Sequence, residues 1–422
     1  MKRKFRFYHL NLKGIFKWLY PGIGIKRWIG FAAFGVFLVI VGVAKLQTEQ
    51  IIFLKVLNFI VFVCGVIILI LGIIRLMQAF LKLFLPQPEE GLAEIMIQKR
   101  QLLRGPHVVA IGGGTGLSVL LEGLKQYTSN ISAIVTVADS GGSSGRLRQQ
   151  FDILPPGDIR NCLVALADAP ILMRELFQFR FDKTSDLGGH SFGNLFITAM
   201  TQLTGDFEKA IQESSKVLAI RGQVIPSTLN KVALVAHYKD GSFIEGEAQI
   251  PKRNIPIERV YLKSLDSFSE IKGSLEAIKA IQKAQIIIFG PGSLYTSIIP
   301  NVLIKDITDA VVASSAIKVY VTNIMTQPGE TDNYTAYDHL NILIKHSHPN
   351  LIEYCIVNKA VIPPEVLQRY KEENSFPVLA DVSRIKAAGY RVIEEDIVRI
   401  EEFIRHDAEK LAQTIFNLLE SF

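Results

Sequence analysis

The chain has 422 residues, which is enough for two or three domains, and 49% of them are hydrophobic, which is ample for a large core. Its three cysteines have neither metal-binding nor disulfide spacing and fit a reducing compartment. Residues 1–27 hold eight Lys/Arg and no Asp/Glu, which leaves 38 basic and 40 acidic residues elsewhere, so the net charge of +6 does not indicate a nucleic-acid-binding surface.

The first 86 residues carry the apolar excess behind the mean hydropathy of +0.27. Residues 1–27 mix basic and aromatic side chains, which is typical of a tail at the anionic inner face of a membrane. Two apolar runs follow, at 28–44 and 51–74, and each is close to the roughly 20 residues that a bilayer-spanning helix needs. We therefore predict two transmembrane helices within 28–74.

Basic residues flank both outer ends of this hairpin, and the link between the two runs has little charge. The positive-inside rule then makes the chain a multi-pass membrane protein with both termini and its large C-terminal part in the cytoplasm. Residues 75–105 are predicted to connect the hairpin to that part. Two glycine pairs, Gly35/Gly42 and Gly65/Gly72, have a spacing that suits close helix packing, although glycine is common in membrane helices generally.

From residue 106 onward, apolar strands alternate with amphipathic helices. Strands are predicted at 108–111, 131–137, 232–238, 243–249, 257–262, 285–289, 317–321 and 352–357. Helices are predicted at 158–168, 171–180, 194–204, 206–219, 270–282 and 407–420. The pattern predicts an α/β fold over 106–422, a Rossmann-like nucleotide-binding domain with a mostly parallel sheet.

The first of these strands runs into a glycine-rich turn made of Gly112, Gly113, Gly114, Thr115 and Gly116. A strand, a glycine turn and a helix in this order point free backbone N–H groups at an anion. The turn departs from the dinucleotide fingerprint because Leu117 replaces its last glycine, and no Lys-Ser/Thr pair makes it a Walker A loop. The alternative is a tight turn without a ligand; we favour a phosphate-bearing ligand.

Four polar, glycine-rich loops each follow an apolar strand, at 112–116, 138–148, 290–297 and 322–332. Ligands of open parallel sheets bind outside the carboxyl ends of the strands, so we expect these loops to meet at one edge. The candidate ligand-binding residues beyond the first loop are Asp139, Ser140, Ser143, Ser144, Arg146, His190, Asn194, Gly290, Pro291, Gly292, Ser293 and Thr296.

Some of these residues also have a structural interpretation. Asp139 suits a ribose hydroxyl, a metal ion or a reacting group, but an aspartate often caps its own loop. Arg146 and Arg148 suit a phosphate clamp, with one of the two expected at the solvated surface. Asn194 lies near the start of a helix with His190, and it either reaches a ligand or caps that helix.

Six motifs resemble, in order, those of the gluconeogenesis factor family, within the superfamily of 2-phospho-L-lactate transferase (CofD-like). They are Ala-Ile-Gly-Gly-Gly-Thr-Gly at 110–116, Ala-Asp-Ser-Gly-Gly-Ser-Ser-Gly-Arg at 138–146, Pro-Pro-Gly-Asp-Ile-Arg at 155–160, Gly-His-Ser-Phe-Gly-Asn at 189–194, Gly-Pro-Gly-Ser-Leu-Tyr-Thr-Ser at 290–297 and Met-Thr-Gln-Pro-Gly-Glu-Thr at 325–331. The resemblance covers roughly 105–420 and leaves the hairpin outside. It implies a Rossmann-like fold that holds a nucleotide at the glycine loops.

The resemblance also implies a ligand of the UDP-N-acetylglucosamine type and a link to cell shape and cell-wall precursor balance during growth on gluconeogenic carbon sources. The related transferases move a phospholactyl group from a nucleotide diphosphate, and their loop matching 138–148 carries paired acids suited to a metal ion. Here Asp139 has no second acid in that loop. This departure favours binding over catalysis, and no resident metal or cofactor is assigned.

We therefore expect a membrane-tethered regulatory protein that binds a UDP-sugar-like molecule and forms homo-oligomers. The alternative is a transferase that uses a nucleotide diphosphate, with magnesium and with Asp139 as its catalytic residue. A third hypothesis is an NAD-binding oxidoreductase. The incomplete fingerprint and the lack of an acid about 20 residues further on disfavour it.

Overall fold

The computed structural model describes residues 25–84, 92–253, 255–266 and 270–422. They divide into two compact units, with the boundary between Ile97 and Gln98. The prediction for the basic tail at 1–27 therefore lies almost wholly outside the described residues.

The first unit contains two long apolar helices, α1 (Ile25–Thr48) and α2 (Ile52–Phe84). Both are long and apolar enough to cross a membrane, and α2 continues past the predicted end at residue 74. A Cβ atom on Gly35 would lie 2.6 Å from the backbone nitrogen of Leu69, and one on Gly65 would lie 2.8 Å from that of Val39. Only glycine permits such an approach, so the two glycine pairs pack the helices against each other.

The described residues also form twelve strands. They are β1 (Val108–Gly112), β2 (Ile131–Val135), β3 (Gln223–Pro226), β4 (Val232–Tyr238), β5 (Phe243–Glu245), β6 (Ile257–Ser264), β7 (Ile286–Phe289), β8 (Ile317–Val321), β9 (Tyr354–Asn358), β10 (Arg391–Glu395), β11 (Val398–Ile400) and β12 (Ile404–His406). Seven of them make one wholly parallel sheet in the order β10-β9-β8-β7-β1-β2-β3, which confirms the predicted Rossmann-like α/β fold. The two other sheets are antiparallel, with the orders β5-β4-β6 and β11-β12.

Helices cover both faces of the parallel sheet. The helices that follow α2 in the described residues are α3 (Leu92–Leu103), α4 (Gly114–Leu124), α5 (Gly142–Phe151), α6 (Gly157–Leu166), α7 (Ile171–Gln178), α8 (Phe192–Thr204), α9 (Phe207–Val217), α10 (Leu275–Lys283), α11 (Ile299–Val302), α12 (Lys305–Ala313), α13 (Ala336–Lys345), α14 (Pro364–Glu372), α15 (Val382–Ala387) and α16 (Ala408–Glu420). Single helical turns lie at Glu247–Lys252, Leu294–Ile298 and Pro349–Leu351.

Several local predictions had the wrong bounds, and two of them matter for the site. The predicted strand at 243–249 ends at Glu245, because the chain turns into a short 3-10 helix from Glu247 onward. The predicted loop at 138–148 stays a loop only as far as Gly141, after which α5 begins. Because this segment is rich in glycine and serine, it lacks the apolar spacing that predicts a helix.

The central strand β1 shows that the sheet is buried on both faces. Val108 and Ala110 belong to the hydrophobic core on one face, and Val109 and Ile111 belong to the core on the other. Since both faces are covered, the strand is a continuous apolar run, as parallel strands are when helices pack on each side.

The strand order also sets the position of a ligand site. The chain places β2 and β3 on one side of β1 and β7 to β10 on the other, so the direction of winding reverses between β1 and β7. Open α/β sheets bind their ligands at this kind of topological switch point, outside the carboxyl ends of the strands.

Candidate functional site

A cleft of about 420 Å³ lies at this switch point, at the carboxyl edge of the sheet. Its walls come from the loops that follow β1, β2, β7 and β8, from the start of α6, from the helical turn after β5, and from residues 404–406 of β12. The four loops singled out in the sequence therefore do meet at one edge.

Nine of the predicted ligand-binding residues line this cleft. They are Gly113, Gly114, Thr115, Gly116, Asp139, Pro291, Gly292, Ser293 and Thr296. The other eight do not line it. They are Gly112, Ser140, Ser143, Ser144, Arg146, His190, Asn194 and Gly290.

The glycine turn after β1 brings the backbone of α4 to the cleft. Gly114 begins α4 with a φ of +65°, a conformation that glycine adopts without strain. A Cβ atom on Gly116 would lie 2.5 Å from the carbonyl oxygen of Pro291, so glycine lets α4 pack against the loop after β7. Gly112 ends β1, where its carbonyl accepts the Thr136 N–H at 3.0 Å, which is a role within the sheet.

Asp158 is a site residue that the sequence analysis did not single out. It lies in the first turn of α6 and lines the cleft, and the backbone N–H of Gly114 donates to its carboxylate. Burial raises the pKa of Asp158 to about 7, and the nearby negative charge of Asp139 contributes in the same direction. The motif at 155–160, which carried part of the family resemblance, contained this residue.

Glu247 is a third carboxylate at the same end of the cleft. It begins the helical turn after β5, far from the parallel sheet in sequence, and the backbone N–H of Ser140 donates to it. In return the N–H of Ala248 donates to the Ser140 hydroxyl at 3.2 Å. Burial, with the charges of Asp139 and Asp158, raises the pKa of Glu247 to about 7. Ser140 thus holds the third acid in place without lining the cleft.

Asp139 has both of the roles considered for it. One carboxylate oxygen accepts the N–H of Gly141 at 2.8 Å and so caps its own loop, and the residue also lines the cleft. Although no second acid follows it in the loop, Asp158 and Glu247 supply further carboxylates from other segments. Among the described residues, no three His, Cys, Asp or Glu side chains are arranged to hold a metal ion.

Ser143, His190 and Asn194 form a buried network of hydrogen bonds. The Ser143 hydroxyl lies 2.9 Å from Nδ1 of His190 and accepts from Nδ2 of Asn194 at 3.1 Å. Burial, with the charge of Arg146, lowers the pKa of His190. The cap of α8 is Ser191, whose hydroxyl accepts the N–H of Asn194 at 3.3 Å, so the alternative that Asn194 caps this helix is wrong. The network ties α5 to α8.

The two arginines of the predicted clamp bind backbone carbonyls. Arg146 is exposed and donates to the Gly188 carbonyl at 2.7 Å, and Arg148 donates to the Val232 carbonyl. Ser144 is buried between α5 and α6, where a Cβ atom on Gly157 would lie 2.3 Å from its hydroxyl oxygen. These contacts hold the fold around the Asp139 loop.

Arg405 lies at the cleft on β12, in the two-stranded sheet β11-β12. It is the only Lys or Arg among the described residues that line the cleft. Its neighbour His406 donates from Nε2 to the Thr322 carbonyl at 3.0 Å, and burial lowers the pKa of His406 to about 4, which keeps it neutral. The hydroxyl of Tyr370 accepts the N–H of Ile404 at 2.6 Å, which fixes this strand. No local sequence signal indicated β12.

Polar side chains connect the loops after β7 and β8. Gln327 donates to the Ser293 hydroxyl at 2.7 Å, and the side-chain oxygen of Asn323 accepts the N–H of Gly292 at 3.3 Å. Further lining residues that the sequence analysis did not name are Val119, Ser297, Asn323, Ile324, Met325, Gln327 and Ile404.

Comparison with known proteins agrees with this architecture. The family model for 2-phospho-L-lactate transferase CofD matches residues 108–398. The gluconeogenesis factor of Bacillus subtilis is 48% identical over 316 residues, which are 75% of this chain and 98% of that protein. The crystal structure of protein BH3568 from Bacillus halodurans is 46% identical and covers 74% of this chain and 99% of its own, with a TM-score of 0.71. The fold and its site thus define an α/β protein of the CofD-like superfamily.

A relative from Nostoc sp. is 45% identical over an alignment of 421 positions, which covers 95% of this chain and 91% of the relative. Within the superfamily, the chain belongs to the gluconeogenesis factor family. The Nostoc match reaches into the first unit, which the sequence analysis had placed outside the resemblance. Since BH3568 matches over nearly its whole length without such a unit, a domain like residues 98–422 folds without the hairpin.

Proposed function

We propose that this protein is a membrane-tethered regulator that binds a nucleotide sugar of the UDP-N-acetylglucosamine type and serves cell shape and cell-wall precursor balance. The observation that carries the proposal is the cleft at the switch between β1 and β7, where the glycine turn of α4 faces the loop 291–293. Its volume of about 420 Å³ lies within the range of small-molecule sites.

The diphosphate of such a ligand suits the backbone of these two loops. Helix α4 and the turn Leu294–Ile298 both begin at the cleft. The N-terminal end of a helix carries partial positive charge and free N–H groups, which favour an anion. Arg405 adds a full positive charge at the same cleft.

The membrane tether is supported by the surface of the first unit. Only 11% of the most apolar window of each helix, α1 and α2, is buried in the described structure. A lipid environment would surround their remaining apolar side chains, while the backbone hydrogen bonds are made within each helix. The basic flanks support an orientation with residues 98–422 on the cytoplasmic side.

A transferase that uses a nucleotide diphosphate is the second candidate, and Asp158 is the observation that favours it. A carboxyl group with a pKa of about 7 beside a second carboxylate is suited to move a proton at neutral pH. Binding comes first in the proposal because the glycine turn and the loop 291–293 both line the cleft, whatever chemistry the acids support.

Isothermal titration of residues 98–422 with UDP-N-acetylglucosamine, GDP and NAD, each with and without magnesium, tests the proposal. We expect UDP-N-acetylglucosamine to bind and to be recovered unchanged, and the other two to bind at least tenfold more weakly. Magnesium-dependent consumption of a nucleotide diphosphate would favour the transferase instead. Recovery of the full-length chain in the soluble fraction of cells would contradict the tether.

A further inference from the structure

A second cavity, of about 380 Å³, lies beside the loop that follows β8. Its described lining residues come from three segments of the chain, at 255–256, 328–334 and 374–376. None of them also lines the cleft at the carboxyl edge of the sheet. The second cavity is therefore a place for a different molecule.

Glu330 is the buried polar residue of the second cavity. Its side chain accepts hydrogen bonds from the backbone N–H of Tyr295 and from the hydroxyl of Thr296, which fix the carboxyl group in one orientation. The residue is only 7% exposed, and its Oε2 atom has no hydrogen-bond partner in the described structure. A buried acceptor without a partner lowers stability, and a ligand that donates to it recovers that loss. The unpartnered oxygen thus indicates a hydrogen-bond donor on the molecule that enters.

The charge of the second cavity restricts the kind of donor. Asp332 also lines it and is held by the N–H of Gly329, which donates to its carboxylate at 2.8 Å, while the described lining residues include no Lys or Arg. Burial, with the charge of Glu247, raises the pKa of Glu330 to about 8. A cation beside this carboxyl group would favour its ionised form, whereas an anion would be repelled by both acids. A positively charged donor therefore fits best.

The remaining walls suit a hydrocarbon group. Pro256, Pro328 and Phe376 line the second cavity, and Phe376 is 42% exposed. The hydroxyl of Tyr334, another lining residue, lies 2.9 Å from that of Tyr295, which fixes the Tyr334 ring. Apolar walls gain from covering a hydrocarbon chain, and an aromatic ring attracts a cation that lies over its face. This combination is typical of a site for an ammonium group on a short apolar body.

We propose that the second cavity is a binding site for a small organic amine, whose ammonium group is bound by the carboxylates of Glu330 and Asp332. The inference goes beyond the proposed function and does not depend on what occupies the cleft, since no described residue lines both cavities.

Three probes of equal length test the charge of the ligand. Pentylamine, 1-pentanol and pentanoate carry a positive, a neutral and a negative end on the same hydrocarbon chain, and an alkylamine is protonated at neutral pH as a lysine side chain is. Each probe is titrated into residues 98–422, and binding is followed by ligand-observed NMR. We expect pentylamine to bind with a Kd of about 1 mM, which is ordinary for so small a ligand, and the other two at least about tenfold more weakly.

Four substitutions locate the amine. Glu330→Gln and Asp332→Asn keep an oxygen for the existing donors and remove the charge, and melting curves verify the fold. Each should weaken pentylamine binding about tenfold or more, the cost of losing a hydrogen bond to a charged group. Glu365→Gln is the control, because Glu365 is exposed on α14 and does not line the second cavity. Asp158→Asn shows whether the amine binds at the acids of the cleft instead. Neither of these two should change the affinity.

Several results would overturn the inference. Equal affinities for the three probes would show an apolar pocket without selection for charge, and a wild type that does not bind pentylamine would show no amine site. Loss of pentylamine binding in Asp158→Asn would place the amine in the cleft. An unchanged affinity in Glu330→Gln would exclude the role of its carboxylate, and Asp332→Asn decides the matter if Glu330→Gln does not fold.

Discussion

Replacing Asp158 by Asn should stabilise the second unit, and the gain should grow with pH. The carboxyl group is largely buried in α6, where burial and the charge of Asp139 raise its pKa from 3.8 to about 7. The unfolded chain releases this proton near pH 4, whereas the folded protein keeps it until about pH 7. The folded state therefore binds more protons between these values, and its stability falls as pH rises through them. Asparagine has nearly the same shape and no proton to release.

The size of the change in unfolding free energy follows from the pKa shift of Asp158. A change from 3.8 to about 7 corresponds to about 4 kcal/mol at 1.36 kcal/mol per pKa unit. Of this, about 2.5 kcal/mol develops between pH 5 and pH 8 by the linkage relation. The difference in the free energy of unfolding between Asp158→Asn and wild type should increase by about that amount across this interval.

Urea unfolding of residues 98–422 at pH 5 and pH 8 measures this difference. Asp182→Asn is the control of opposite sign, because hydrogen bonds from Thr184 lower the pKa of Asp182 and confine its effect to acid pH. Its difference from wild type should change little between pH 5 and pH 8. If the difference in unfolding free energy between Asp158→Asn and wild type is constant or shrinks as pH rises, burial does not raise the pKa of this carboxyl group, and the reasoning is refuted.

Three further substitutions test other parts of the structure. Gly65→Leu should separate α1 from α2 and lower the melting temperature of the full-length chain in detergent, whereas Gly30→Leu, where a Cβ atom meets nothing within 4 Å, should not. Gly116→Ala should weaken UDP binding at least tenfold and lower the melting temperature of residues 98–422. The reason is that its Cβ atom would lie 2.5 Å from the Pro291 carbonyl oxygen. An unchanged affinity and an unchanged melting temperature would contradict the close packing of α4. Arg405→Gln should weaken UDP and UDP-N-acetylglucosamine equally, about tenfold, in parallel titrations; loss of the sugar ligand alone would place the diphosphate elsewhere.

Much of the fold could be predicted from the sequence because buried parallel strands are continuous apolar runs. The run at 108–111 is apolar throughout, since both of its faces are buried. The loops after β1, β2, β7 and β8 were predicted to share one edge because all parallel strands point their carboxyl ends the same way, and they do share it.

The site was harder to predict because several of its side chains come from segments without a local signal. Asp158 lay inside a motif, but nothing near it in sequence shows that Gly114 donates to its carboxylate. Glu247 follows β5 in a small antiparallel sheet, and Arg405 lies on β12. His190, in contrast, has a structural role, because it belongs to the hydrogen-bond network that joins α5 to α8. Spacing along the chain does not distinguish these cases; contacts between distant segments do.

A crystal structure of residues 98–422 with UDP-N-acetylglucosamine tests the central claim most directly. The account predicts the diphosphate between the glycine turn at 113–116 and the loop at 291–293, with Arg405 in contact with it. A ligand outside this cleft would contradict the account.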